Sequence, residues 1–167
     1  MVLKFRVLSD ENDYFVREYE ALGNMSLFEF HQFICSDLKY DDDTLTSFFV
    51  SDSHWEKLAE YTLFDMGESE ADTGALTMDK ARIGQIAGKL HERLIFQFDI
   101  IDERALFMEL VEISEPQPDT AYPRVARSEG DAPDMIGGGA AQSSGSIFDD
   151  AMEEFGSFEG DDSYDDE

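Results

Sequence analysis

Residues 94–113, LIFQFDIIDERALFMELVEI, limit the folds open to this chain more than any other stretch. Two apolar runs, one ending at Phe98 and one starting at Ala105, flank a charged joint. Leu94, Phe96 and Phe98 alternate with Ile95 and Gln97, the period of a strand with two different faces. Runs this short and this rich in aromatic and β-branched side chains predict the central antiparallel hairpin of a sheet.

The remaining segments fit around such a hairpin. Residues 2–8 alternate Val2, Lys4, Arg6 and Leu8 against Leu3, Phe5 and Val7, a strand with one buried face. Asp10 to Asp13 make a polar turn, and residues 14–21 form a return strand. Ser26 and Glu29 then make a capping box, with Met25 and Phe30 at the positions of a hydrophobic staple. Leu27, Phe30, Ile34 and Leu38 follow at helical spacing, so a helix is expected from Leu27 to about Lys39. Asp41, Asp42 and Asp43 lack the spacing of a calcium loop and read as a solvated turn. A strand is expected at 47–50, an extended piece at 60–66 and an acidic loop at 67–74, with Trp55 anchored against the core.

A second helix is expected at 79–87, weakened by Gly84 and stopped at Gly88. Residues 114–120, with Pro116 and Pro118, must be a connector, and residues 122–135 read as irregular. The fold class that results is α+β: a mostly antiparallel sheet with two main helices packed on one face. Residues 1–135 make this domain. Residues 136–167 make a Gly/Ser-rich linker and an acidic disordered tail.

Charge narrows the partners. The chain carries 39 acidic and 12 basic side chains, a net of -27. Such a field repels phosphate backbones and anionic bilayers, so direct nucleic-acid binding and membrane binding are disfavoured. A protein partner with a basic surface is favoured. Cys35 is the single cysteine, which excludes an internal disulfide and a cysteine-based zinc cluster. No cofactor or metal is expected. The start of the chain has no long apolar run and no stretch suits a membrane span, so a cytoplasmic location is expected.

The tail carries its own pattern. Phe148, Met152 and Phe155 fall at i, i+4 and i+7, with Phe158 beyond, among acidic residues. Two readings stand: a solubilising tail, or a linear motif that docks in a partner's groove.

Three segments resemble the plasmid pRiA4b ORF-3-like family, an uncharacterised group associated with mobile elements. In residues 26–48, Leu27, His31, Ile34, Leu45 and Phe48 fit the family pattern, while Tyr40 and Thr44 stand where Trp and His are usual. In FQFDIIDER, residues 96–104, Phe96, Phe98, Asp99 and Asp102 fit. Ile101 replaces a glycine and Arg104 a tryptophan, and Leu106 stands where a histidine is common. In residues 122–134, Tyr122-Pro123-Arg124 and the Gly130 to Pro133 ending are similar, with Ala132 in place of a cysteine. The resemblance spans residues 2–135 and implies an α+β domain. It implies no particular activity. With Ile101 unable to adopt a positive φ as cheaply as Gly, the joint is expected to bend in its own way here.

Three functions compete on this reading. The first, and preferred, is a non-catalytic protein-interaction module with an acidic-aromatic tail. The second is a metal-dependent or acid-base enzyme using Asp99, Asp102 and Glu103 with His31 or His91; it requires those groups to converge. The third is an acidic DNA mimic or accessory protein of a mobile element. The candidate binding residues are His31, Asp99, Asp102, Glu103, Tyr122 and Arg124.

Overall fold

The computed structural model describes residues 1–63 and 76–135. The chain divides into two units, Met1–Ala132 and Pro133–Glu167, and the whole of the sheet lies in the first. The acidic loop 67–74, the linker and the tail residues Phe148, Met152, Phe155 and Phe158 lie outside the described residues.

Among the described residues the sheet has eight strands: β1 (Val2–Ser9), β2 (Val16–Leu22), β3 (Ser47–Ser51), β4 (Lys57–Thr62), β5 (Leu76–Thr77), β6 (Arg93–Asp99), β7 (Arg104–Ser114) and β8 (Arg124–Glu129). Their order is β5-β4-β3-β6-β7-β1-β2-β8, antiparallel throughout except for the short β4–β5 pair. The β6–β7 hairpin is central, as its apolar content requires, with Phe96 opposite Leu106 and Leu94 opposite Met108.

Helix α1 (Leu27–Leu38) begins where the capping box places it. The Ser26 hydroxyl accepts from the Glu29 amide at 3.1 Å, and the Glu29 carboxylate accepts from the Ser26 amide at 3.0 Å. Lys39 closes it in the left-handed region at φ 64°. The helix covers one face of the sheet. Phe30 lies against Phe5, Tyr19 and Phe48, and Phe48 against Phe96, with ring centroids 5.0–6.3 Å apart. Such aromatic contacts dominate the energy of a small core.

Two segments differ from the sequence expectation. Residues 79–87 do not form one helix. A 3-10 turn (Met78–Lys80) and a single helical turn, α2 (Ile83–Ile86), are separated by extended residues at Ala81 and Arg82. The break has a cause outside the segment. The Ala81 carbonyl accepts from the Leu27 amide at 2.9 Å, and the Ile83 amide donates to the Met25 carbonyl at 2.9 Å. The Gly84 amide then donates to the Gly23 carbonyl at 2.8 Å, an approach that a Cβ would crowd at 3.0 Å. Gly84 is there for this close passage. Residues 122–135 are also not wholly irregular, because β8 pairs with β2 as an edge strand. The extended piece expected at 60–66 begins earlier, as β4.

Candidate functional site

The charged joint of the hairpin is a four-residue turn that its own side chains hold. Asp99 accepts the Asp102 amide at 3.1 Å and pairs with Arg104 at 3.2 Å. Arg104 also pairs with Glu11 at 2.8 Å, which ties this turn to the β1–β2 connection. Its guanidinium lies 4.7 Å above the Phe98 ring. The left-handed residue is Glu103, at φ 57°, so the backbone reversal falls there and Ile101 is spared it. Asp102 and Glu103 are exposed.

His31 belongs to other surroundings. It is fully buried beneath the sheet, between Phe28 and Phe96. Its Nε2 lies 3.3 Å from the Asp42 carbonyl and its Nδ1 3.2 Å from the Thr46 hydroxyl. A carbonyl only accepts, which fixes Nε2 as the protonated nitrogen and makes Thr46 the donor to Nδ1. Burial lowers its pKa, so the ring is a neutral clamp on the α1–β3 loop. The Cys35 sulfur sits 3.7 Å from Nδ1. Burial pushes that thiol up to about 12, which leaves it protonated and unreactive. Within the same loop, Asp41 Oδ1 accepts the Asp43 amide at 2.9 Å and the Asp41 carbonyl the Thr44 amide at 3.3 Å. The carboxylates of Asp41, Asp42 and Asp43 bring oxygens within 4.8 Å of one another, all exposed. They build a turn, as their spacing suggests.

The remaining candidates sit elsewhere. The Tyr122 hydroxyl accepts the Gln117 amide at 3.2 Å, closing the β7–β8 connection. Arg124 pairs with Glu20 across β8 and β2 at 2.8 Å. His91 pairs with Glu109 at 2.8 Å. The structure therefore brings Asp99 and Asp102 together in one turn, next to Glu103, and gives His31, His91, Tyr122 and Arg124 separate partners.

Sequence reasoning missed two groupings. The first is Arg17, Tyr19 and Asp37. The Tyr19 hydroxyl donates to Asp37 at 2.6 Å, and Arg17 Nε donates to the same carboxylate oxygen at 3.2 Å. Burial and the neighbouring carboxylate raise the Tyr19 pKa. Arg17 also donates to the carbonyls of Val16, Glu129 and Gly130, so one side chain binds α1, β2 and the end of β8. The second lies on the sheet face away from α1. Trp55 meets Phe107 edge-on at 5.2 Å, and the Arg93 guanidinium stacks 4.5 Å from the indole. Trp55 thus packs on the outer face of the sheet, away from the core where it was expected. The strand alternation was the available signal, but it assigns faces only once strand order is known.

That outer face is organised in rows. One row alternates charge across five strands: Arg93, Glu109, Arg6, Glu18 and Arg127. Arg93–Glu109, Arg6–Glu18 and Arg127–Glu18 are ion pairs at 3.6, 3.2 and 3.7 Å. A second row joins Glu112, Lys4, Glu20 and Arg124 at 3.1, 3.7 and 2.8 Å. Opposite charges in register across strands are favourable, each by a few tenths to about 1 kcal/mol. Among the described residues no helix is long and apolar enough to cross a membrane.

Comparison with known proteins places the fold without naming an activity. The family model described as plasmid pRiA4b ORF-3-like protein matches residues 2–151. The crystal structure of a protein of unknown function from Methanosarcina mazei Go1 is similar, with a TM-score of 0.70 and 14% identity. That likeness covers 87% of this chain and 79% of the other. No curated protein matches the chain.

Proposed function

Since the chain belongs to the plasmid pRiA4b ORF-3-like family, a family of unknown function, we propose from its own residues that it is a non-catalytic, cytoplasmic protein-interaction module. Its partner is a protein with a basic surface. Its sheet domain is the rigid body, and Phe148, Met152, Phe155 and Phe158 are the docking side chains of an acidic-aromatic segment.

The observation that carries this reading is the disposition of charge. Among the described residues, seven of the twelve basic side chains, Lys4, Arg6, Arg17, Arg93, Arg104, Arg124 and Arg127, are engaged in ion pairs within the sheet domain. Acidic side chains are in large excess, and those after Arg127 have no Lys or Arg among them. A surface of that sign attracts a cationic protein and raises its rate of encounter. The aromatic and Met side chains supply the apolar anchors that charge alone does not. The turn of Asp99, Asp102 and Glu103 supports no catalytic reading, because Asp99 is committed to Arg104 and to the turn backbone while its neighbours face solvent.

The test is affinity purification of the full chain against the same chain with Phe148, Met152, Phe155 and Phe158 changed to alanine. Wild type is expected to retain a basic protein that the variant loses, and salt at about 0.5 M is expected to weaken the capture by screening. Equal recovery by both chains would remove the docking role from the tail.

A further inference from the structure

The sheet face opposite α1 carries an apolar row above its charged ones. Phe49 is opposite Ile95, Ile95 opposite Phe107, Phe107 opposite Leu8, and Leu8 opposite Val16. Direct partners in antiparallel strands share a face, so these five side chains form one stripe across β3, β6, β7, β1 and β2. Ile95 is itself buried, at 2% exposed, whereas Leu8, at 45% exposed, and the half-buried Val16, Phe49 and Phe107 keep part of their surface in water. The adjacent row shows that charged residues are accommodated on the same strands.

Trp55 is held at this stripe against a backbone cost. It is left-handed at φ 66°, a conformation that a bulky side chain adopts only where its surroundings enforce it. The enforcing bonds are explicit. Asp52 Oδ1 accepts the amides of His54 at 2.8 Å and Glu56 at 2.9 Å, and the Trp55 amide donates to the Asp52 carbonyl at 3.1 Å. Arg93 then donates to the Ser53 carbonyl at 2.6 Å. The β3–β4 turn is thus built to keep an indole half-exposed beside Phe107.

We propose that this stripe is a docking surface for a basic amphipathic helix of a partner protein. Leu8, Val16, Phe107 and Trp55 are the apolar floor. The proposal deepens the interaction-module reading and rests on it, while placing a contact on the sheet in addition to the tail. Charge complementarity selects the occupant. At its ends the stripe meets Glu60, opposite Phe49, with Lys57 lying 4.5 Å over the Phe49 ring, and Glu129, opposite Val16, which Arg127 pairs at 2.8 Å. The ends themselves are thus balanced in charge, and the selecting charge lies in the loops. The row below it holds three arginines and two glutamates, and Glu129 balances the third arginine. The connections at the end of the sheet nearest the stripe carry Asp10, Glu11, Asp13, Asp99, Asp102 and Glu103, where Arg104 is already paired with Glu11 and Asp99. Dimensions agree. Five strands at about 4.8 Å spacing span about 19 Å, the length of a helix of about 13 residues at about 1.5 Å per residue. Apolar anchors at i, i+4, i+7 and i+11 match that span.

The experiment is a titration of the isotope-labelled full chain, followed by amide chemical shifts. The probe is a synthetic helix with leucines at those four positions and lysines elsewhere. Two controls accompany it: the same peptide with glutamates for lysines, and an oligolysine of equal charge. Shifts are expected at and around Leu8, Val16, Trp55 and Phe107. The pair Trp55→Asn and Leu8→Thr is expected to weaken binding about tenfold or more. Asn tolerates the left-handed region and Thr suits a strand, and unchanged shifts around Phe30 and His31 certify the fold. Oligolysine binding as tightly as the probe would overturn the proposal, as would a preference for the glutamate peptide. Shifts confined to residues 148–158 would overturn it and leave the tail reading intact. A dimer of the free chain that the same two substitutions abolish would assign the stripe to a second copy and overturn it too. The tail variant tests the interaction-module reading independently of all these outcomes.

Discussion

Along β1, Leu3, Phe5 and Val7 point toward α1 while Lys4, Arg6 and Leu8 point away from it, and the two sets do different work. The first set is fully buried and joins the aromatic cluster of Phe30, Phe48 and Phe96. In the second set, Lys4 and Arg6 are paired across strands, and all three stay partly in water. A sheet of this size needs one apolar face to fold. The other face is then free to vary, and here it carries ordered ion pairs, a strained tryptophan and an apolar stripe. Stability resides mainly on one side of each strand, and the other side is the one we propose for recognition.

The sharpest way to break that division is to remove one aromatic ring from the helix side. Phe30 touches Phe5, Tyr19 and Phe48 and is fully buried. Phe30→Ala is expected to cost about 3–5 kcal/mol, measured by urea denaturation with an unchanged m-value. A cost below about 1 kcal/mol would mean that the outer face holds the fold, and the comparison would have to be reversed.

The helix side was the more legible of the two because its signals are local. The capping box, the staple and the spacing of Leu27, Phe30, Ile34 and Leu38 all lie within one segment, and α1 begins where they place it. Residues 79–87 defeated the same approach. Their break comes from Met25, Leu27 and Gly23, far away in sequence, and no window around Gly84 contains that information. β8 was missed for a related reason. Arg124, Arg127 and Glu129 show no apolar alternation, because the strand is held at its outer face by ion pairs to Glu20 and Glu18. The candidate residues followed the same rule. Asp99 and Asp102 were legible as one turn. That His31 lies under the sheet with Thr46 and the Asp42 carbonyl depends on how β3 and β6 pair.

His31 gives the next largest effect and a pH signature confined to the helix side. Burial holds its pKa below the ordinary value of 6.5. Above that pH the ring is neutral in both folded and unfolded chains, and stability does not depend on it. As the pH falls below about 6.5, the unfolded chain takes up a proton that the folded chain refuses. Stability is then lost, at up to about 1.4 kcal/mol per pH unit, until the folded pKa is reached. Between about pH 7 and pH 5.5 the wild type is expected to lose stability. His31→Gln should start less stable and show a flatter dependence over that range. Parallel pH curves for the two chains would show that the ring is not a buried neutral clamp.

The smallest effects belong to the outer face, and they bear on whether its charged row acts as pairs or as a unit. Glu18 accepts from Arg6 at 3.2 Å and lies 3.7 Å from Arg127. Glu18→Gln keeps the shape and removes the charge. It is expected to cost about 1 kcal/mol or less, and less still in about 1 M salt, where screening shortens to about 3 Å. Glu109→Gln, in the same row, should behave alike. Arg6 stands opposite Glu109 on β7 and is ion-paired to Glu18 on β2. Independent pairs therefore predict additive losses in the double variant, within about 0.5 kcal/mol. A coupling above about 1 kcal/mol would mean that the five-strand row is one cooperative element. The outer face would then contribute to the fold in its own right, and substitutions on the apolar stripe beside it would have to be judged for stability before they were judged for binding.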